Sequence, residues 1–321
     1  MGWWQLNADT LAGSRFVVSP LAEATASLCT LAAGTATHPA GKVWLAAHLP
    51  AYRERLDAVT ALLVQAALGQ EWIADFCVPP PTEERRTFAE ELEIIRRTPS
   101  DVARADVAVS MRGSLPTELD RPDLPERIAD LLEWVWTQAV LPDWPRRRRI
   151  IEADIVSRTA QLSHGGWAVA LQDLRPGMGW LGDGRLQINA YNRPPRTISS
   201  GARLLFVPVT HGHAWVAWDE PHTYAVIYPC SGVLAEPGWE PVPEALGRLL
   251  GPTRAAVLVL LATPKSTTQL VALTGQGLGS VGRHLKVLLD ARLVRRRRAG
   301  RSVLYYRTDA GDVLVLAQGQ K

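Results

Sequence analysis

The chain has 321 residues, 47% hydrophobic and 21% charged, with a net charge of +3. Length gives two domains as the natural expectation, and the composition suits a chain that buries a core rather than a disordered or fibrous one. No run of about 18 apolar residues occurs, so no membrane-spanning helix is predicted. The three cysteines, Cys29, Cys77 and Cys230, lie too far apart for a disulfide framework or a CxxC site.

The start, MGWWQLNADTLAGSRF, lacks the basic and long apolar regions of a signal peptide. The expectation is a cytoplasmic protein whose cysteines are buried small side chains. RFVVS reads as a strand and PLAEATASLCTLAAG as a helix, with Ser19 as N-cap and Pro20 in the first turn. AYRERLDAVTALLVQAAL (51–68) is predicted as one helix. TEERRTFAEELEIIRR is predicted as another, capped at Thr82 although Arg85 takes the place of the usual acid. Further helices are expected over 100–111 and 125–140. A last one runs from Pro145 through IIEADIVSRTAQLSHGG and stops at Gly165 and Gly166.

After Gly177 the texture becomes β-like. GWLGDGRLQINAY has a GDG turn between two short runs, a hairpin signal. ARLLFVPV, HAWVAWDE and TYAVIYP follow as strands of an antiparallel sheet behind the helical body. EPGWEPVP (236–243) reads as a linker. The fold class expected is α+β: a large mixed helical and antiparallel-sheet domain over residues 1–240, then a small domain over 244–318.

Charge divides along the same line. From Glu244 onward there are 13 Lys/Arg against 4 Asp/Glu, a net +9 that leaves −6 on the rest. A basic module on an acidic body points to nucleic acid. GPTRAAVLVLLAT (251–263) reads as a helix. In KSTTQLVALTG, Ser266 and Gln269 have capping-box spacing. In GLGSVGRHLKVLLDARLV, Val281, Leu285, Leu288 and Leu289 make an apolar stripe. Helix, turn, helix is the arrangement that lays its last helix in a DNA major groove. LVRRRRAGRSVLYY (293–306) then reads as a β-hairpin with a cationic tip. Its arginines suit phosphates or a narrow minor groove.

Residues 246–308 resemble an ArsR-type winged helix. LGRLLGPTRAAVLVLLA, STTQLVALTG, SVGRHLKVLLDARLV and the RRRAGRSVLYYRT wing carry the resemblance. It implies a homodimeric transcriptional regulator on a near-palindromic operator of double-stranded DNA. The DNA-facing positions it implies are Ser280, Arg283, His284 and Lys286 on the recognition helix and Arg297, Arg298 and Arg301 at the wing. Arg283 suits guanine, Ser280 a phosphate or base. His284 has the alternative of packing or capping between helices. Gly279 and Gly282 depart from the family by leaving two groove-facing positions without side chains. Metal-sensing members carry cysteine clusters in this module. No cysteine follows Cys230, so thiolate sensing is not expected.

The preceding body resembles an uncharacterised domain found in front of ArsR-type helices in high-GC bacteria. WPRRRRIIEADIVSRTAQLSHGGWAVALQDLRP, GWLGDGRLQI and the LLFVPV and YAVIYPCSG runs carry that resemblance, which implies a sensing or dimer-shaping role. Its own arginine run, Arg146 to Arg149, has two readings. One is a solvated face paired with Glu152 and Asp154 and capped by Asp143; the other is an auxiliary phosphate or acidic-ligand contact. His211 and His213, two apart in a predicted strand, are weak metal candidates beside Glu220 and His222. No GxSxG, Walker A or complete GxGxxG occurs in a fitting context. Nine tryptophans of the body, Trp3, Trp4, Trp134, Trp136, Trp167, Trp180, Trp215, Trp218 and Trp239, are expected mostly in the core or a dimer interface, with some lining a pocket for an apolar or aromatic effector.

The expectation is therefore a DNA-binding repressor without cofactor, homodimeric, not an enzyme, with a small-molecule effector and no membrane partner. Two alternatives stand beside it. One is an architectural DNA binder without effector. The other is a metal-dependent enzyme domain, built on His211, His213 and Glu220, fused to a DNA-binding tail.

Overall fold

A computed structural model describes residues 2–36, 39–69, 72–81, 86–171, 174–175, 177–191, 194–230, 242–262, 264–274, 276–299 and 302–317. The chain divides into two compact units. The first comprises Met1–Ile151 with Arg158–Cys230, the second Glu152–Ser157 with Ser231–Lys321. The segment read as a linker (236–243) falls mostly outside the described residues.

The first unit opens with β1 (Gly2–Gln5), α1 (Ala8–Gly13) and β2 (Arg15–Phe16). Then comes α2 (Pro20–Ala33), buried from Pro20 to Leu31. Its ends are as the sequence predicts: the Ser19 hydroxyl accepts from the Ala22 N–H at 3.0 Å, and Gly34 closes it in the left-handed region at φ 63°. A helix buried on all sides must satisfy its own polar groups. Thr25 and Thr30 donate back to the carbonyls of Leu21 and Ala26. The helix N-terminus is met by Glu91, whose carboxylate accepts from the Leu21 N–H at 2.8 Å and from the Ser19 hydroxyl at 3.0 Å.

Burial pushes the Glu91 carboxyl up from 4.5 to about 7, against the pull of those two donors. A carboxyl raised on folding contributes stability that is whole below its unfolded value and is lost as pH rises through the folded one. Glu91→Gln keeps an acceptor and removes the charge. Its unfolding midpoint is therefore expected to decline less steeply than that of the wild type between about pH 5 and pH 8. Parallel profiles for the two proteins would refute this account.

The stretch 51–68 is two helices, not one. α3 (Pro39–Arg55) ends, and Asp57 caps α4 (Ala58–Ala67) by accepting from the Thr60 N–H at 2.7 Å. α5 (Phe88–Arg96) also starts later than predicted. Its capping box is Thr87 with Glu90, while Thr82 lies outside the described residues. α6 (Ser100–Met111) and α7 (Leu124–Val135) follow as expected, and α7 runs into a π-helical turn at Trp136–Val140. α8 (Trp144–Ala170) breaks at Gly166, where φ is 67°, and resumes for one turn.

Two four-stranded sheets complete the unit. β3 (Gly179–Gly182) and β4 (Arg185–Asn189) form the predicted hairpin, with Asp183 and Gly184 both at positive φ. With β1 and β5 (Arg196–Thr197) the order is β3-β4-β1-β5. The second sheet has the order β2-β6-β8-β7, from β6 (Arg203–Val209), β7 (Trp215–Asp219) and β8 (Thr223–Pro229). Here the expectation of an antiparallel sheet is corrected. β2, β6 and β8 run parallel, and only β7 is antiparallel to β8. The reason is burial on both faces. Leu205, Val207 and Val209 join the helical core, while Leu204 and Phe206 join a second core with Trp4, Leu186 and Tyr228. Strands covered on both sides read as continuous apolar runs, the mark of parallel pairing.

The second unit contains α9 (Glu244–Leu250), α10 (Pro252–Leu260), β9 (Lys265–Ser266), α11 (Thr267–Thr274), α12 (Leu278–Asp290), β10 (Val294–Ala299), β11 (Ser302–Arg307) and α13 (Asp309–Leu316). Val257, Leu258, Leu270, Val281, Leu285, Leu288 and Val294 form its core. The strand β9 and the helices α9 and α13 are additions to the sequence reading. The fold class is α+β with the helix-turn-helix at the C-terminal end.

Candidate nucleic-acid interface and effector cleft

α11 begins with the predicted box: the Ser266 N–H donates to Gln269 Oε1 at 2.7 Å, and the Gln269 N–H to Ser266 Oγ at 3.2 Å. α12 buries Val281, Leu285 and Leu288, so its opposite face carries Gly279, Gly282, Arg283 and Lys286, all exposed. Of the predicted contacts, Arg283 and Lys286 thus share one open face. Ser280 and His284 are half-buried on its flank. The Ser280 hydroxyl donates to Gln276 Oε1 at 3.1 Å and lies 3.4 Å from His284 Nε2. This local chain orients the two side chains, so His284 combines the flanking position with a tie to its own helix.

A Cβ built on Gly279 or Gly282 meets nothing within 4 Å. Packing therefore does not demand these glycines. Alanine at each is expected to raise stability by about 1 kcal/mol, the ordinary cost of glycine in a helix interior. Measured by chemical denaturation, a loss of stability at either position would refute the open-face geometry. DNA binding of the same variants reads whether the bare backbone is needed against the duplex.

β10 and β11 pair Arg295 with Tyr306, Arg296 with Tyr305, Arg297 with Leu304 and Arg298 with Val303. Successive side chains of a strand point to opposite faces. Arg295 and Arg297 therefore share one face of the wing, Arg296 and Arg298 the other, and all four are exposed. The Arg295 guanidinium stands 5.8 Å from the Tyr306 ring centre. Arg301 lies outside the described residues. β9 adds a third strand by pairing with β11 at Leu304 and Tyr305. Its signal in the sequence is only Lys265 and Ser266, the second of which is the cap of α11 itself.

The first unit holds a different arginine chemistry. Arg147, from the middle of the second run, is 4% exposed. Its Nη1 donates to Glu23 Oε1 at 2.6 Å and to Ser27 and Thr210 hydroxyls at 3.3 Å. The solvated-face reading is thus corrected at Arg147. Arg148 and Arg149 are exposed, and Arg146 pairs locally with Asp143 at 3.3 Å. Asp143 makes no capping hydrogen bond. The other Glu23 oxygen accepts from the Thr210 N–H at 2.8 Å, and the Thr210 hydroxyl donates to Glu23 as well.

His211 completes this network. Its Nε2 lies 2.9 Å from Arg147 Nη1. A guanidinium only donates, so Nε2 accepts and the imidazole is neutral. Burial first, then the Arg147 charge, holds His211 well below the usual histidine range. The two histidines are not in a strand; they lie in the turn between β6 and β7. His211 faces Trp44 at 4.5 Å, whereas His213 lines a cleft. Glu220 pairs with Arg196. Among the described residues no group of three His, Cys, Asp or Glu is placed to hold a metal ion. Cys29, Cys77 and Cys230 are buried and form no disulfide, and burial pushes Cys29 up to about 12.

The cleft has a volume of about 1080 Å³ and lies wholly in the first unit. Tyr52, Trp72, Trp215 and Trp218 supply aromatic walls, Trp72 and Trp218 meeting edge to face at 5.4 Å. Its ionisable lining includes Asp75, Arg175 and His213. Burial raises Asp75 to about 6, helped by Asp106 and opposed by Arg196 and the Trp72 indole. Burial also lowers Arg175 and His213. Of the nine tryptophans the sequence offered, Trp215 and Trp218 line this cleft. Asp75, Arg175 and Trp72 were not legible, because lone residues from three distant segments carry no shared pattern. No helix among the described residues is long and apolar enough to cross a membrane.

Compared with known proteins, residues 251–296 match the family described as bacterial regulatory protein, arsR family. Neither the curated proteins nor the solved structures give a match. The match covers α10, α11, α12 and the start of the wing, and it supports a DNA-binding transcription regulator.

Proposed function

We propose that this chain, with an ArsR-family helix-turn-helix in its C-terminal unit, is a transcriptional repressor that acts as a homodimer on a near-palindromic operator. The observation that carries the reading is the open face of α12. Arg283 and Lys286 project from a helix whose other face is locked into the core, and a wing with four exposed arginines follows it. Arg283 reads a guanine edge, Lys286 and the wing hold phosphates, and Ser280 and His284 sit at the groove margin. Two copies place their recognition helices one helical turn apart, roughly 34–36 Å, over a two-fold site.

The first unit senses an effector and does no catalysis. A protein of this kind works in the cytoplasm, where its DNA is. The effector releases the operator to the extent that it binds the DNA-free state more tightly than the DNA-bound one. The cleft supports this reading by its size and aromatic walls. It needs neither a metal nor a thiolate.

The test is binding of the purified protein to its own promoter against a scrambled duplex of equal composition, with stoichiometry from sedimentation. A preference of about a thousandfold or more, with two chains per duplex, is the expected result. Equal binding to both duplexes would identify an architectural binder instead, and one chain per site would remove the dimer.

A further inference from the structure

We propose that the cleft of the first unit takes an extended aromatic acid, a planar molecule of several rings whose single carboxylate seats on Arg175. The proposal rests on the sensing reading above and names the chemistry of its ligand.

Size is the first argument. Small-molecule pockets run from about 300 to 1,000 Å³, and this one, at about 1080 Å³, stands at the top of that range. A single-ring molecule would leave most of it to water. The walls are the second argument. Tyr52, Trp72, Trp215 and Trp218 offer ring faces and edges, and Leu31, Val64 and Ile188 fill between them. Flat aromatic surface is what such walls bury best.

Charge decides the rest. Among the described residues of the lining Asp75 is the only carboxylate, and Arg196 is the cation that opposes its burial. Among the described residues Arg175 has no counterpart of that kind. No hydrogen bond or ion pair of its side chain occurs among the described residues, and the charge pulling its guanidinium up is the Tyr191 phenol, not an acid. Arg53, the other cation of the lining, is exposed. A desolvated guanidinium gains most from a carboxylate, which it meets with two parallel N–H donors. A cationic ligand would meet two arginines against one aspartate already opposed by Arg196. A phosphate would find one half-buried guanidinium and no lysine among the described lining residues, too little for its second charge.

The experiment uses the full chain and three matched probes: anthracene carboxylate, its carboxamide, and the aminomethyl analogue. Quenching of tryptophan fluorescence reads binding, and promoter affinity is measured with and without saturating probe. The carboxylate is expected to bind at least about tenfold more tightly than either analogue. Arg175→Gln should abolish that preference while leaving the carboxamide where it was, and Arg175→Lys should keep part of it. Thermal unfolding of both variants reports that they fold. Equal affinities, tighter binding of the amine, quenching by none of the three, or a folded Arg175→Gln protein that loses all three alike would each overturn the proposal. The promoter arm separates the two readings. A carboxylate preference with unchanged promoter affinity keeps the site and removes the sensing role. A promoter shift by the amine or amide alone keeps the sensing role and removes the acid.

Discussion

Arg147→Met is expected to destabilise the first unit by about 3–5 kcal/mol, the cost of breaking a buried ion pair from one side. Glu23 is fully buried, with Arg147 as its ion-pair partner at 2.6 Å. Without Arg147 its carboxylate keeps, among the described residues, only the Thr210 N–H and hydroxyl as donors. Two hydrogen bonds do not replace a counter-ion in a medium that screens charge poorly. Ser27 and the Trp44 ring, which the guanidinium faces at 5.3 Å, also lose their partner. The double variant Glu23→Gln/Arg147→Met removes both charges and is expected to recover more than half of the stability, since an apolar or neutral replacement of a buried pair costs far less than half a pair. Urea denaturation followed by tryptophan fluorescence measures it, because 11 of the 12 tryptophans lie in the first unit. A single-variant effect below about 1 kcal/mol, the range of exposed pairs, would mean that water reaches these charges.

That network also marks where sequence reading stops. Caps and turns are legible because their partners are three or four residues away: Ser19 with Ala22, Ser266 with Gln269, Asp183 beside Gly184. The core stripe of α12 is legible for the same reason. Glu23 and Arg147 are 124 residues apart, and the four letters RRRR look alike whether all stay in water or, as here, the second is buried. The split at Asp57 was readable, since an aspartate three residues before Thr60 is a cap, but an unbroken apolar period on either side outweighed it. Sheet orientation failed differently. Three β-like runs in sequence favour a meander, and β8 instead sits between β6 and β7. The unbroken burial of β6 and β8 was the signal for it. In α12 the sequence named Arg283 and Lys286, which the structure leaves on the open face, yet not the local tie between Ser280 and His284.

The second large effect belongs to the wing. Arg297/Arg298/Arg301→Ala is expected to weaken promoter binding almost uniformly across sequences and to lower the salt slope by about one for each phosphate no longer neutralised. Arg283→Ala should act differently: a weakening of about 1–3 kcal/mol at one base position, with relaxed discrimination there and little change in salt slope. The strand register sharpens the wing test. Arg297 is opposite Leu304 and Arg298 opposite Val303, so their side chains leave opposite faces of a two-stranded ribbon. One face of a ribbon lies toward a duplex and the other away from it. The single variants should therefore be unequal, one changing the slope by about one and the other by close to zero. Binding isotherms between about 50 and 200 mM salt, a range over which phosphate neutralisation changes affinity steeply, measure both. Equal slopes for Arg297→Ala and Arg298→Ala would mean that the ribbon enters the groove edge-on, with arginines of both faces on phosphates. An unchanged slope in the triple variant would take the wing off the DNA and leave α12 to carry the interface alone.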